Sequence, residues 1–84
     1  MWEVYVLLSL KDNCRYIGST NNLERRIREH NSGQVRSTKN RRPLKLLFKE
    51  KCLDSKDARK KERFFKTHKG YNYINKRLED VNIN

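Results

Sequence analysis

Residues 14–33 read Cys-Arg-Tyr-Ile-Gly-Ser-Thr-Asn-Asn-Leu-Glu-Arg-Arg-Ile-Arg-Glu-His-Asn-Ser-Gly. Cys14–Gly18 has the aromatic and β-branched character of a strand, and Ser19 and Thr20 turn the chain. Asn21 then has the form of a helix cap, with Glu24 three residues on able to reach back to its backbone N–H. The predicted helix runs to about Asn31 and stops at Gly33, the residue best suited to a left-handed C-terminal cap. Leu23 and Ile27 mark its buried stripe, and Arg26 and His30, four apart, lie together beside it. A strand end, a tight turn and a basic helix make a common phosphate site, here carrying Tyr16, Arg25, Arg26 and His30.

Upstream, Trp2–Leu10 alternates well enough for a half-buried strand, and Lys11-Asp12-Asn13 signals a turn, so a hairpin is expected. With Asp12-Asn13 as a two-residue loop, Ser9 faces Tyr16 and Leu7 faces Gly18. Tyr5, Leu7, Ser9 and Tyr16 then share one face. An odd-length loop would part the two tyrosines; Asp-Asn tolerates the positive φ of a primed turn and favours the even loop. Downstream, Gln34–Arg42 lacks periodicity and reads as a basic surface loop. Pro43 opens a third strand, Leu44–Glu50, with Leu44, Leu46 and Phe48 alternating against Lys45 and Lys49. Asp54 or Ser55 caps a second helix to about His68, closed by Lys69-Gly70. A short third helix or helical turn follows, with Ile74 and Leu78 as its apolar contacts, and the last few residues are expected to fray. The order is strand, strand, helix, strand, helix, helix in one domain over residues 1–84.

The chain has 21 Lys+Arg against 10 Asp+Glu, a formal charge of +11. Residues 1–42 carry +5 and residues 43–84 carry +6. The folded surface, not a tail, must therefore be positive, which favours a polyanionic partner, above all nucleic acid. A membrane surface suits it less, because neither basic helix has an uninterrupted apolar face. The apolar opening run is too short to span a bilayer, and a cytoplasmic location is expected. Cys14 and Cys52 lack metal-site spacing and read as buried thiols in a reducing compartment.

Glu62 is the carboxylate that stands out. In Ala58-Arg-Lys-Lys-Glu-Arg-Phe-Phe65 it projects from the helix side that carries Ala58 and Phe65, where an unpaired charge is costly. A cation, a strong donor or a structural salt bridge with an arginine would satisfy it, as would a rotation toward solvent. Tyr5 and Tyr16 taken singly are hairpin packing residues, and Arg25, Arg26 and Arg28 a solvated helix face. Two histidines make no metal site, and no Ser-His-Asp set or glycine-rich phosphate loop is present.

Taken together, Tyr5 in Glu-Val-Tyr, the triplet Tyr16-Ile17-Gly18, the Leu-x-Arg-Arg-x-x-x-His pattern ending at His30 and the late helix glutamate resemble the GIY-YIG nuclease superfamily. The chain is most similar to compact single-domain members such as the N-terminal incision domain of the bacterial excision-repair nuclease. That resemblance implies an α+β fold, a small three-stranded antiparallel sheet flanked by helices. It also implies a Mg²⁺- or Mn²⁺-dependent endonuclease acting on DNA, with Glu62 holding a single metal ion. Arg26 would grip the phosphate, Tyr5 would take the proton of the attacking water with His30 as relay, and Tyr16 would align phosphate or water. Two departures stand out: Glu3 and Val4 replace the first triplet's glycine and isoleucine, and the family's late asparagine matches Asn72, with Asn75 close by. A non-catalytic nucleic-acid binding module that keeps the fold is the alternative.

Overall fold

The computed structural model describes the backbone of residues 1–82 and the side chains of residues 1–80; the expected fraying of the last residues lies outside them. The elements are β1 (Glu3–Ser9), β2 (Arg15–Thr20), α1 (Leu23–Asn31), a single 3₁₀ turn (Lys39–Arg41), β3 (Leu44–Lys51), α2 (Ser55–Phe65) and α3 (His68–Asn82). They form an α+β fold around an antiparallel three-stranded sheet of order β2-β1-β3, as the resemblance implied. The central strand β1 is buried on both faces rather than half-buried, because each face carries a layer of its own. Val4 and Val6 join Ala58, Phe65 and Ile74 under α2 and α3. Tyr5 and Leu7 join Leu44, with Leu23 and Ile27 of α1 over them.

The hairpin departs from the expected register by two residues. Leu7 pairs with Tyr16 and Tyr5 with Gly18. The loop is four residues long, closed by Ser9 N–H to the Cys14 carbonyl at 2.9 Å. Side chains favour this longer loop. The Ser9 hydroxyl accepts from the N–H groups of Lys11 and Asp12, the Asp12 carboxylate accepts from Cys14 N–H, and Asn13 takes the left-handed conformation. Two and four are both even, so Tyr5 and Tyr16 still share a face.

Four further local expectations are corrected. The cap of α1 is Asn22, not Asn21, its side chain accepting from Arg25 N–H at 3.1 Å, while Glu24 pairs with Arg28. In β3 a bulge shifts the register between Val6 and Leu7, so Leu44 and Leu46 face α1 but Phe48 packs with Phe65 on the other side. Asp54 caps α2, which ends at Phe65, and Gly70 sits in the first turn of α3 instead of closing α2. A Cβ on Gly70 would run into the Phe64 carbonyl, so this glycine permits the close α2–α3 corner. Cys52 is buried, but Cys14 is exposed at the hairpin loop.

Candidate functional site

Tyr5 projects from the central strand toward the edge strand β2, and its ring lies over Gly18. A Cβ there would stand 2.5 Å from the Tyr5 hydroxyl oxygen and 2.7 Å from Cζ. The glycine of Tyr16-Ile17-Gly18 therefore makes room for the phenol of the paired strand. Tyr5 is 1% exposed and His30 fully buried. The Tyr5 hydroxyl meets His30 Nε2 at 3.0 Å, and His30 Nδ1 meets the Thr38 hydroxyl at 2.7 Å. Tyr16 crosses His30 edge-on with ring centroids 5.0 Å apart.

Arg26, one turn before His30, carries its charge close enough to act on the Tyr5 phenol and bonds Glu29 at 3.1 Å. Burial raises the Tyr5 pKa above the usual 10.0; Arg26 opposes this, and the charges of Tyr16 and Glu62 add to it. Burial, then the cation of Arg26, lowers the His30 pKa to about 4, with Glu29 partly opposing. At neutral pH the pair is thus a neutral phenol and a neutral imidazole. A neutral phenol facing a neutral imidazole pairs best as O–H donor to Nε2, the arrangement that puts the imidazole hydrogen on Nδ1, toward Thr38.

Glu62 approaches from the opposite layer. Its Oε1 accepts the hydroxyl of Ser19, the residue after Gly18, at 2.9 Å, and its Oε2 accepts from Lys66 at 3.1 Å. Its partners are thus a serine and a lysine rather than an arginine. Its charge also acts on the Tyr5 phenol. Tyr5, Tyr16, Arg26 and His30 come together, with Glu62 at their border. Asn72 is not brought in; it is exposed on α3, and its amide lies 3.4 Å from His68 of the same helix. Asn75 is occupied elsewhere, accepting from Arg15 at 2.6 Å. Thr38 is the residue that sequence reading missed: it lies in the stretch taken for a surface loop, yet it and Val35 are buried.

The model of the GIY-YIG catalytic domain matches residues 1–77. The chain is a member of the GIY-YIG family. Relatives of this GIY-YIG domain include UPF0213 protein DP2720 of Desulfotalea psychrophila, 43% identical over 63 residues, covering 73% of this chain and 56% of that protein. UPF0213 protein YazA of Bacillus subtilis is 38% identical over 63 residues, 74% of this chain and 64% of that protein. A UPF0213 protein of Listeria welshimeri is 38% identical over 80 residues, 90% and 89% of the two chains. The match thus spans little more than half to just under two-thirds of the first two relatives. No solved structure matches the chain significantly.

The donor set bears on the divalent ion that such domains generally use. Among the described residues no three His, Cys, Asp or Glu side chains gather as a metal cluster. One carboxylate suits a hard ion that keeps most of its waters, such as Mg²⁺, and does not suit zinc. Lys66 is more than half exposed and free to swing off Glu62, so the residues fit such an ion. Among the described residues no helix is long and apolar enough to cross a membrane.

Proposed function

We propose that this GIY-YIG domain is an endonuclease that hydrolyses DNA phosphodiester bonds with one divalent cation, Mg²⁺ or Mn²⁺, held at Glu62. The observation that carries the reading is the buried hydrogen-bonded chain Tyr5–His30–Thr38, with the charges of the half-exposed Arg26 and of Glu62 both acting on its phenol. Arg26 presents a planar fork to the scissile phosphate. Tyr5 takes the proton of the attacking water, once substrate binding opens the phenol oxygen, while passing its own proton to His30 Nε2. The water oxygen bonds to phosphorus, and the P–O bond to the leaving sugar oxygen breaks. Tyr16, whose hydroxyl has no hydrogen-bond partner among the described residues, is free to align phosphate or water. The cation, when bound, neutralises phosphate charge and stabilises the leaving oxygen.

The resting pKa values oppose this proton transfer, since the phenol is too weak an acid and the imidazole too weak a base. Substrate changes that balance. Arg26 is one cause of the low His30 value, and a phosphate seated on Arg26 offsets its field. His30 then becomes a better acceptor when a phosphodiester is present. The same resting values favour a second reading, a domain that binds nucleic acid and cuts nothing alone. Nicking of supercoiled plasmid with Mg²⁺ or Mn²⁺ separates the two, comparing wild type with Glu62→Gln and Arg26→Ala. Cleavage that survives both substitutions would sink the site assignment, and salt-sensitive binding with no cleavage would establish the second reading.

A further inference from the structure

At the C-terminal end of α1, just past His30, a recess of about 560 Å³ is lined by Lys11, Asn31, Lys39, Asn40, Arg42 and Pro43. Its lining has three cations and no carboxylate. The nearby Asp12 is bound by Arg41 at 3.2 Å. Two of the cations are held in place. The Lys11 ammonium donates to the Asn40 carbonyl at 3.1 Å, and Arg42 Nε donates to the Lys39 carbonyl at 2.9 Å. The Arg42 guanidinium also lies against Gly33, where a Cβ would stand 3.0 Å from Nη1, and Gly33 has φ of +83°. Its Nη groups make no hydrogen bond among the described residues. Three cations brought onto one recess from two chain segments, the hairpin loop and residues 39–42, repel unless an anion joins them.

We propose that this recess is a second phosphate site, holding the nucleic-acid backbone at a phosphate other than the one cleaved. The inference rests on the nucleic-acid reading above and adds where the strand is anchored. The anchor is tied to the candidate active site by the chain itself. Residues 38–42 carry Thr38, which bonds His30, and then Lys39, Asn40 and Arg42 of the recess. Asn31, which follows His30, fixes the start of β3 through paired bonds with Leu44.

The test is the salt dependence of binding to duplex and single-stranded oligonucleotides without divalent ion. Each lost phosphate contact lowers the slope of log K against log salt by about 0.9 on duplex and about 0.7 on single strand. The triple variant Lys11→Gln/Lys39→Gln/Arg42→Gln is expected to lose about 2.7 in slope on duplex. A control triple, Lys49→Gln/Lys51→Gln/Lys76→Gln on β3 and α3, removes the same charge from exposed side chains away from Glu62 and is expected to lose less than about 1. Lys39→Gln alone removes an ammonium with no internal hydrogen bond among the described residues. It therefore leaves the fold intact, should lower the duplex slope by about 0.9, and keeps the test valid should the triple variant misfold. Equal losses in the two triples, or an unchanged slope in Lys39→Gln, would overturn the recess while leaving the nucleic-acid reading in place. Absence of nucleic-acid binding by wild type at low salt would instead overturn that reading. Triple-variant-sensitive binding to phosphatidylserine vesicles, without binding to oligonucleotides, would assign the recess to a membrane and refute the proposal.

Discussion

Gly18→Ala should cost both stability and any activity of the site, and the reason is local. The new Cβ would stand 2.5 Å from the Tyr5 hydroxyl and 2.7 Å from its Cζ, against ordinary contact from 3.4 Å upward. Tyr5 must move by close to 1 Å, but it is packed on Leu7 and Leu44 and bonded to His30 at 3.0 Å. Overpacking of this kind costs about 1–3 kcal/mol. In a domain of this size that lowers Tm by roughly 5–20 °C. The displaced phenol also loses its alignment with His30, and misplacement by 1 Å lowers a rate by about 10²-fold. Thermal melts by circular dichroism and single-turnover plasmid nicking measure the two effects. The double variant Gly18→Ala/Tyr5→Phe should recover part of the lost stability, because the nearest clashing atom is gone. A coupling between the two sites of about 0.5–3 kcal/mol is expected. A Tm for Gly18→Ala within a degree of wild type, or strict additivity in the double variant, would refute a phenol resting on this glycine.

Three more expectations follow from the same cluster. His30 has a folded pKa of about 4 against 6.5, so the unfolded chain binds more protons between those values. Stability should be complete above pH 6.5 and fall as pH drops toward 4, by at most about 3 kcal/mol, and His30→Gln should flatten that part of a Tm–pH curve. Thr38→Val leaves His30 Nδ1 without its partner and should cost about 1–3 kcal/mol in denaturant melts, with a changed imidazole tautomer by nitrogen NMR. Arg26→Lys keeps the charge but loses the fork, and cleavage should fall by about 10- to 100-fold with little change in Tm.

The strand and helix order was legible because its periodicities are strong, and the even hairpin loop alone sufficed to place Tyr5 and Tyr16 on one face. The loop's length was not, because Ser9 and Asp12 use their side chains to hold backbone N–H groups, and sequence pattern does not price such local bonds. The β3 bulge at Leu46–Phe48 is equally silent in a run where every second residue is apolar. Gly70 looked like a helix terminator, and its actual reason is the contact with the Phe64 carbonyl, a tertiary fact. Thr38 was hidden for the same cause. A threonine in a basic, aperiodic stretch gives no sign that the stretch folds back over His30, although buried Val35, the lone aliphatic in Gln34–Arg42, was a signal available to be read. Glu62 was singled out by its helix face, and its partners Ser19 and Lys66 follow from the edge of β2 and the next helical turn.

The central claim is that Glu62 holds the divalent ion at the border of the Tyr5–His30 cluster. Anomalous diffraction from a crystal soaked in Mn²⁺ tests it most directly. The expected result is a single manganese peak on the Glu62 carboxylate, with Lys66 withdrawn and the peak lost in Glu62→Gln. Manganese bound elsewhere, or Lys66 still on Glu62 at saturating Mn²⁺, would contradict it.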